Sequence, residues 1–187
     1  MFISNNIKLL LDIQDENIYF EENAIEIKEY KGKTAKFITG KLTYTPSHCE
    51  CCSVKNENFT VYKNGTKTSR ITLPFTGVYP TYLLLKKQRF FCKACNGSFI
   101  AKSSIVERHC FISKQSRAQV FIKSAEAQTI TSIARDCSVS TSTVQRIMNE
   151  EVKPYKFRYQ TLPEHFDEFK YGKGKMAFEY MNAETGE

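Results

Sequence analysis

Apolar positions recur at helical spacing at the start of the chain. Ile3, Ile7, Leu10 and Leu11 predict a short helix over residues 3–14 that ends before Asp15. The period then changes. Residues 24–30, read Ala-Ile-Glu-Ile-Lys-Glu-Tyr, alternate with period two and predict a strand. Lys31-Gly32-Lys33 is a turn, and Phe37, Ile38, Leu42 and Tyr44 mark a returning strand over 34–45. Short strands are predicted at 60–63 and 68–73, with Asn64-Gly65 as the turn between them and Pro74 as the stop. Gly77 marks a further turn. Residues 81–91 form the longest strand candidate, and 98–101 a brief return. At Ser113 the period reverts to that of a helix, with Ala118, Phe121, Ile122 and Ala125 recurring over 113–127 behind a Ser113 cap.

The helical period is clearest from Thr129 to Met148. Ile130, Ile133 and Ala134 form the inward face of a short helix, and Ala134 is small enough to let a second helix cross closely. A brief turn turns Val139 inward, Ser140 caps the next helix, and Val144, Ile147 and Met148 are its inward positions. Thr141, Ser142, Thr143, Gln145 and Arg146 remain outward. This is a helix-turn-helix pattern, whose second helix presents polar residues to the major groove of double-stranded DNA. Ser140 and the neighbouring hydroxyls suit phosphates or bases, Gln145 suits adenine, and Arg146 suits guanine or phosphate. Ser138 occupies the turn position usually filled by glycine, so a positive φ there costs about 1 kcal/mol.

Charge sharpens this picture. The formal net charge is +7, unevenly spread. Residues 1–45 hold six Lys/Arg against seven Asp/Glu, 46–111 ten against three, 112–158 eight against four, and 159–187 three against six. A basic centre suits a polyanion. No run of eighteen apolar residues indicates a membrane span, and the N-terminus does not read as a signal peptide, so a reducing cytoplasmic setting is expected.

In that setting the seven cysteines point to metal rather than to disulfides. Cys49 and Cys52 form one CxxC pair and Cys92 and Cys95 another, about forty residues later. A two-residue spacer lets one tight turn aim two sulfurs at one point, so two such turns predict a tetrahedral structural zinc site in a ribbon-like β module. A redox role would call for a βαβ context that is absent. Cys51 and Cys110 remain open as substitute ligands, and Cys137 is expected as a small core residue. Lys153 to Arg158 reads as a basic linker, stopped from helix by Pro154. Phe166 to Phe169 and Met176 to Met181 flank Gly172-Lys173-Gly174 and predict a hairpin.

The order of these parts resembles the ISL-three type of bacterial insertion-sequence transposases. The residues that carry the resemblance are His48-Cys49-Glu50-Cys51-Cys52, Gln88 to Cys95 with Phe99, the block from Ile133-Ala134 to Thr143-Val144-Gln145-Arg146, and Leu162-Pro163-Glu164 leading to Asp167-Glu168-Phe169, with Glu184-Thr185-Gly186 trailing. The resemblance implies a zinc-binding domain, a helix-turn-helix and the start of an RNase H-like catalytic domain. In it Asp167 is the first acid of a DDE triad that holds Mg²⁺. The other two acids are expected after Glu187, so the chain is expected to be catalytically incomplete and residues 160–187 poorly packed.

The expected fold is therefore multi-domain α+β. The divisions are a lead-in at 1–45, a ribbon at 46–111, a helix-turn-helix domain at 112–152, a basic linker at 153–162 and an incomplete RNase H-like hairpin at 163–187. The expected function is recognition of an element's terminal repeats, with the basic ribbon adding phosphate contacts or helping the chain dimerise. A zinc-dependent transcriptional regulator without catalysis is the alternative.

Overall fold

The computed structural model describes residues 2–151 and 165–181, which fall in two units divided after Glu151. The first unit begins with α1 (Phe2–Leu10). This helix ends earlier than its apolar spacing predicts. Asp12 takes a left-handed φ of 52°, the Ile13 N–H reaches Lys8 O at 2.9 Å and the Asp12 N–H reaches Leu9 O at 3.3 Å. That paired arrangement closes a helix C-terminus. Leu11 and Ile13 still reach the core, but from beyond the helix.

Five strands follow as one sheet: β1 (Ile18–Tyr30), β2 (Lys33–Leu42), β3 (Val61–Thr76), β4 (Tyr79–Cys92) and β5 (Ser98–Ile100). The order is β1-β2-β4-β3, with β5 on the end of β4. β1 and β2 form an antiparallel hairpin, as do β3 and β4, and the two hairpins join through a parallel β2–β4 pair running from Lys36↔Thr81 to Leu42↔Lys87. The residues read as a lead-in thus supply two strands to the sheet that carries the cysteines. One face is closed by α1 around Ile18, Ile38, Leu42, Ile71, Leu73, Leu83 and Leu85. The other carries an aromatic cluster in which Tyr30, Phe37 and Tyr82 lie 5.3–5.7 Å apart, centroid to centroid.

Two sequence expectations for β3 are corrected. Asn64-Gly65 is not a hairpin turn but a bulge inside one long strand. The register slips between Lys63 and Thr66, and Gly65 takes a φ of 74°. The strand also runs through Pro74 to Thr76. β3 closes one end of the sheet order, where a residue without an N–H is tolerated, and its register is irregular between Leu73 and Thr76.

Three helices complete this unit: α2 (Lys114–Ser124), α3 (Ile130–Asp136) and α4 (Thr141–Glu151). Ser113 caps α2, accepting from the Ser116 N–H at 3.1 Å, as its sequence position predicts. The buried face of α2 is not the predicted one. Val120 and Ser116 face inward, while Phe121 and Ile122 are exposed. The reason lies on β3: Thr72 O accepts from the Ser113 N–H at 3.0 Å and from the Ser116 hydroxyl at 3.2 Å, and these bonds fix the rotation of the helix. Val120 then joins Ile133, Ala134, Cys137, Val144 and Ile147 in a separate small core. Cys137 is a core residue, as expected.

The turn between α3 and α4 closes in the same way as α1. Ser138 has a φ of 51°, Val139 N–H reaches Ala134 O at 3.0 Å, and Ser138 N–H reaches Arg135 O at 3.3 Å. Because the serine Cβ is strained there, Ser138→Gly is expected to stabilise the chain by up to about 1 kcal/mol. A rise in the unfolding midpoint of the zinc-loaded protein checks this, and a fall would contradict the strain.

The second unit is described as an antiparallel hairpin of β6 (His165–Gly172) and β7 (Lys175–Met181), with the turn at Lys173-Gly174. The predicted hairpin is thus present. The basic linker, Leu162-Pro163-Glu164 and Glu184-Thr185-Gly186 lie outside the described residues.

Candidate metal centre and nucleic-acid interface

The two CxxC turns are built alike. In each, the N–H of the first cysteine bonds a carbonyl five residues on: Cys49 to Val54 O at 2.8 Å, and Cys92 to Gly97 O at 2.9 Å. In each, the residue after the second cysteine is left-handed, Ser53 with φ 60° and Asn96 with φ 52°. The repeated loop turns both thiols of a pair to the same side. Cys92 ends β4 with Val61 as its register partner, and β5 returns from the second turn, so the sheet holds the two loops face to face.

The four sulfurs of Cys49, Cys52, Cys92 and Cys95 lie within 4.8 Å of one another. Cys49 and Cys95 are 3.8 Å apart, and Cys52 and Cys92 3.9 Å. Four sulfurs set tetrahedrally at about 2.3 Å from zinc have edges of about 3.8 Å. The spacing therefore fits a zinc ion and is far too long for disulfides. The Cys51 N–H points at the Cys49 sulfur at 3.3 Å, the kind of support that steadies a bound thiolate.

Charge is shared unevenly among these thiols. Burial pulls Cys49 upward, but the backbone N–H groups of Cys52 and Cys51 and the thiols of Cys92 and Cys52 outweigh it and lower the pKa to about 6. For Cys95 the backbone bond with Gly97 lowers the pKa, while the Cys52 thiol, burial, and the Cys92 and Cys49 thiols outweigh it and raise the pKa to about 12. Without metal, the cluster cannot hold four negative charges.

Cys51 and Cys110 stand outside the four-sulfur group. Cys51 is exposed, and its thiol is pushed up by burial and then by the charge of Cys49. Cys110 packs against the sheet core. Gly97 was not singled out in the sequence. A Cβ there would sit 3.1 Å from both the Cys51 and Cys95 sulfurs. Gly97→Ala is expected to weaken zinc retention about tenfold, measured by chelator competition. Unchanged retention would show that the loop gives way freely. A glycine two residues past a CxxC pair is the signal that was available.

On α4, Ser140 is outside the helix and acts as its cap, accepting from the Thr143 N–H at 3.2 Å. Its hydroxyl is also 2.9 Å from those of Ser142 and Thr143, so part of this polar cluster is committed to the helix start. Thr141, Ser142, Gln145 and Arg146 are exposed, whereas Thr143 is half-buried. Val144 and Ile147 are buried and Met148 packs beside them, as predicted. Sequence reading missed Glu150. It binds Arg146 at 3.1 Å and Arg117 of α2 at 2.7 Å, and these contacts, the Arg117 bond foremost, hold its carboxyl below the usual range. The four-residue spacing from Arg146 was legible; the bridge to α2 was not. Asp167 lies in β6 with Glu179 as its register partner.

A paired-knuckle thiol site at the end of a sheet, followed by a helix-turn-helix with an exposed second helix, defines a metal-binding, DNA-binding protein. Residues 45–95 match the family model described as the zinc-finger of transposase IS204/IS1001/IS1096/IS1165, and residues 101–152 that of the helix-turn-helix domain of transposase family ISL3. Over these two domains the chain belongs to the ISL3 transposase family. Searches of curated proteins and of solved structures gave no significant match. Among the described residues, no helix is long and apolar enough to cross a membrane.

Proposed function

We propose that this chain recognises the terminal repeats of an insertion sequence and positions a transposase there for DNA transposition. The observation that carries the reading is the exposed polar face of α4, where Thr141, Ser142, Gln145 and Arg146 lie outward over the buried Val144 and Ile147. Thr141, Ser142, Thr143, Gln145 and Arg146 are the base- and phosphate-facing residues, and Ser140 serves mainly as the cap that sets their start. Cys49, Cys52, Cys92 and Cys95 hold one structural zinc ion that fixes the loops at the sheet end.

Asp167 is the first acid of the catalytic triad by resemblance. Its place on a strand of an antiparallel hairpin supports that role, as the opening of an RNase H-like sheet. Cutting and joining of DNA with Mg²⁺ needs further acids converging on the ions beside Asp167, and that activity is proposed only for a protein that brings all of them together. Binding of the zinc-loaded chain to a terminal-repeat duplex and to a scrambled duplex of equal length tests the reading. Tighter binding to the repeat is expected. Equal binding to both would leave a non-specific DNA-binding protein, and no binding to either would reject the proposal.

A further inference from the structure

The hairpin of β3 and β4 has an unusual charge balance. Its strands cover Val61–Thr76 and Tyr79–Cys92 and contain Lys63, Lys67, Arg70, Lys86, Lys87 and Arg89, with no aspartate or glutamate. Arg70 is occupied, its guanidinium lying 4.9 Å from the Tyr30 ring centre. The other five are gathered at one level of the hairpin. There β3 bulges at Asn64-Gly65 and the buried positions of β4 change parity between Leu85 and Phe90. Four consecutive residues, Lys86-Lys87-Gln88-Arg89, cross this waist with none fully buried.

Lys67 and Lys87 are direct register partners on one face of the strand pair, and Lys86, between Thr68 and Lys41, projects from the other face at the same level. Like charges placed opposite one another across a strand pair destabilise it. Among the described residues, Lys63, Lys67, Lys87 and Arg89 make no ion pair, although the chain pairs cations elsewhere, at Lys28, Lys41, Lys102, Lys123 and Arg146. Lys86 senses Glu21, which is itself bound to Lys41. Burial first, and then the charge of Lys67, hold the Lys87 amine below its ordinary pKa. A fold that keeps Lys63, Lys67, Lys87 and Arg89 without acidic partners at one level of the β3–β4 hairpin gains most when an external polyanion neutralises them.

We infer that the belt formed by Lys63, Lys67, Lys86, Lys87 and Arg89 is a second DNA-contacting surface, which grips the phosphate backbone of duplex DNA independently of sequence. This rests on the DNA-binding reading above and adds a site on a different element. The helix-turn-helix reads bases, and the waist of the hairpin holds the backbone. Contact through lysine amines and one guanidinium, with no amide donor–acceptor pair but Gln88, suits phosphates rather than base edges. Gln88 itself is turned back, donating to Gly65 O at 2.7 Å.

The test uses the full zinc-loaded chain with Lys67→Gln/Lys87→Gln, a second pair Lys63→Gln/Arg89→Gln, and Lys8→Gln on α1 as a control for charge loss. Each is titrated with terminal-repeat and scrambled duplexes over a range of salt. Each lost phosphate contact should flatten the salt slope by about 0.9, so a double variant loses about 1.8. Affinity for both duplexes should fall by the same factor, leaving their ratio unchanged. The control should leave the slope as it was. Lys67→Gln/Lys87→Gln should also unfold at a higher temperature, because the repulsion is gone. Weaker binding from a more stable protein is an outcome that damage to the fold does not produce.

The inference is overturned if both double variants fold and keep the wild-type slope. It is equally overturned if they lose the preference for the repeat rather than overall affinity. If the wild type shows no preference between duplexes but the belt variants flatten the slope, the end-recognition reading fails while this one stands.

Discussion

Cys92→Ser is expected to abolish zinc binding, taking metal content from about one zinc per chain to none, and to release the end of the sheet from its fold. Structural zinc sites contribute about 10–16 kcal/mol of apparent binding free energy near neutral pH, as much as the whole stability of a typical domain. The consequence is nevertheless graded by position. The two cysteine turns meet the core through Cys49, Cys92 and the partly buried Val54, while the sheet behind them contributes Ile18, Ile38, Leu42, Ile71 and Leu83 to the same core. Amide protection should therefore vanish around Cys49–Thr60 and Cys92–Gly97 and persist in β1, β2 and the first half of β4. A chelator should reproduce this pattern in the wild-type chain. Full protection throughout in metal-free protein would contradict a structural zinc site.

Acid should act in the same direction as the chelator. Zinc needs thiolates, and in the free cluster Cys49, lowered to about 6, is largely thiolate at neutral pH while Cys95, raised to about 12, keeps its proton. Loading the ion must therefore expel protons at neutral pH. Apparent zinc affinity rises with pH and falls as protons return to the thiols. Competition titrations at several pH values read the sign directly. An affinity independent of pH would mean the sulfurs are not the ligands.

The second large effect is expected at α4. Gln145→Ala and Arg146→Ala should each erase discrimination worth about 1–3 kcal/mol where the side chain makes a bidentate base contact, roughly fivefold to more than a hundredfold. The loss should fall on the terminal repeat and not on the scrambled duplex, which separates base reading from phosphate contact. Neither change touches the Val144–Ile147 stripe, so helix content should hold. Arg146 carries a further condition. In the free chain it is tied to Glu150, which also binds Arg117. Such a bridge either aims the guanidinium at the groove or must open when DNA arrives. Glu150→Gln distinguishes these outcomes: weaker recognition follows from lost aim, and stronger overall DNA affinity from a released cation. Unchanged affinity and preference in both alanine variants would remove α4 as the recognition helix.

How much of this was legible beforehand followed the range of the interactions. The CxxC turns are local: two residues set the angle between two thiols, so the ligand candidates could be read from spacing. The helix-turn-helix was legible for the same reason, since Ile133, Ala134, Val144 and Ile147 declare their faces within a few residues. Even the unusual φ at Ser138 followed from its place at the turn position usually filled by glycine. Long-range pairing left no such trace. Asn64-Gly65 supplies left-handed backbone to a turn or to a bulge alike, and only the unbroken β4 running alongside makes it a bulge. Phe121 and Ile122 look like an apolar helix face until Thr72 O captures Ser113 and Ser116 and rotates the helix away from them.

By itself, then, the sequence determined the chemistry of this protein: which sulfurs could share a metal, which helix could face DNA, and where the positive charge lies. Each of these depends on residue type and short spacing. Tertiary structure alone decided that residues 18–42 belong to the sheet carrying the zinc loops, through the parallel β2–β4 pair. It also decided that Lys67 faces Lys87 and that Glu150 joins two helices. Those outcomes rest on contacts between residues far apart in the chain, whose closure is settled by the whole core at once rather than by any one segment.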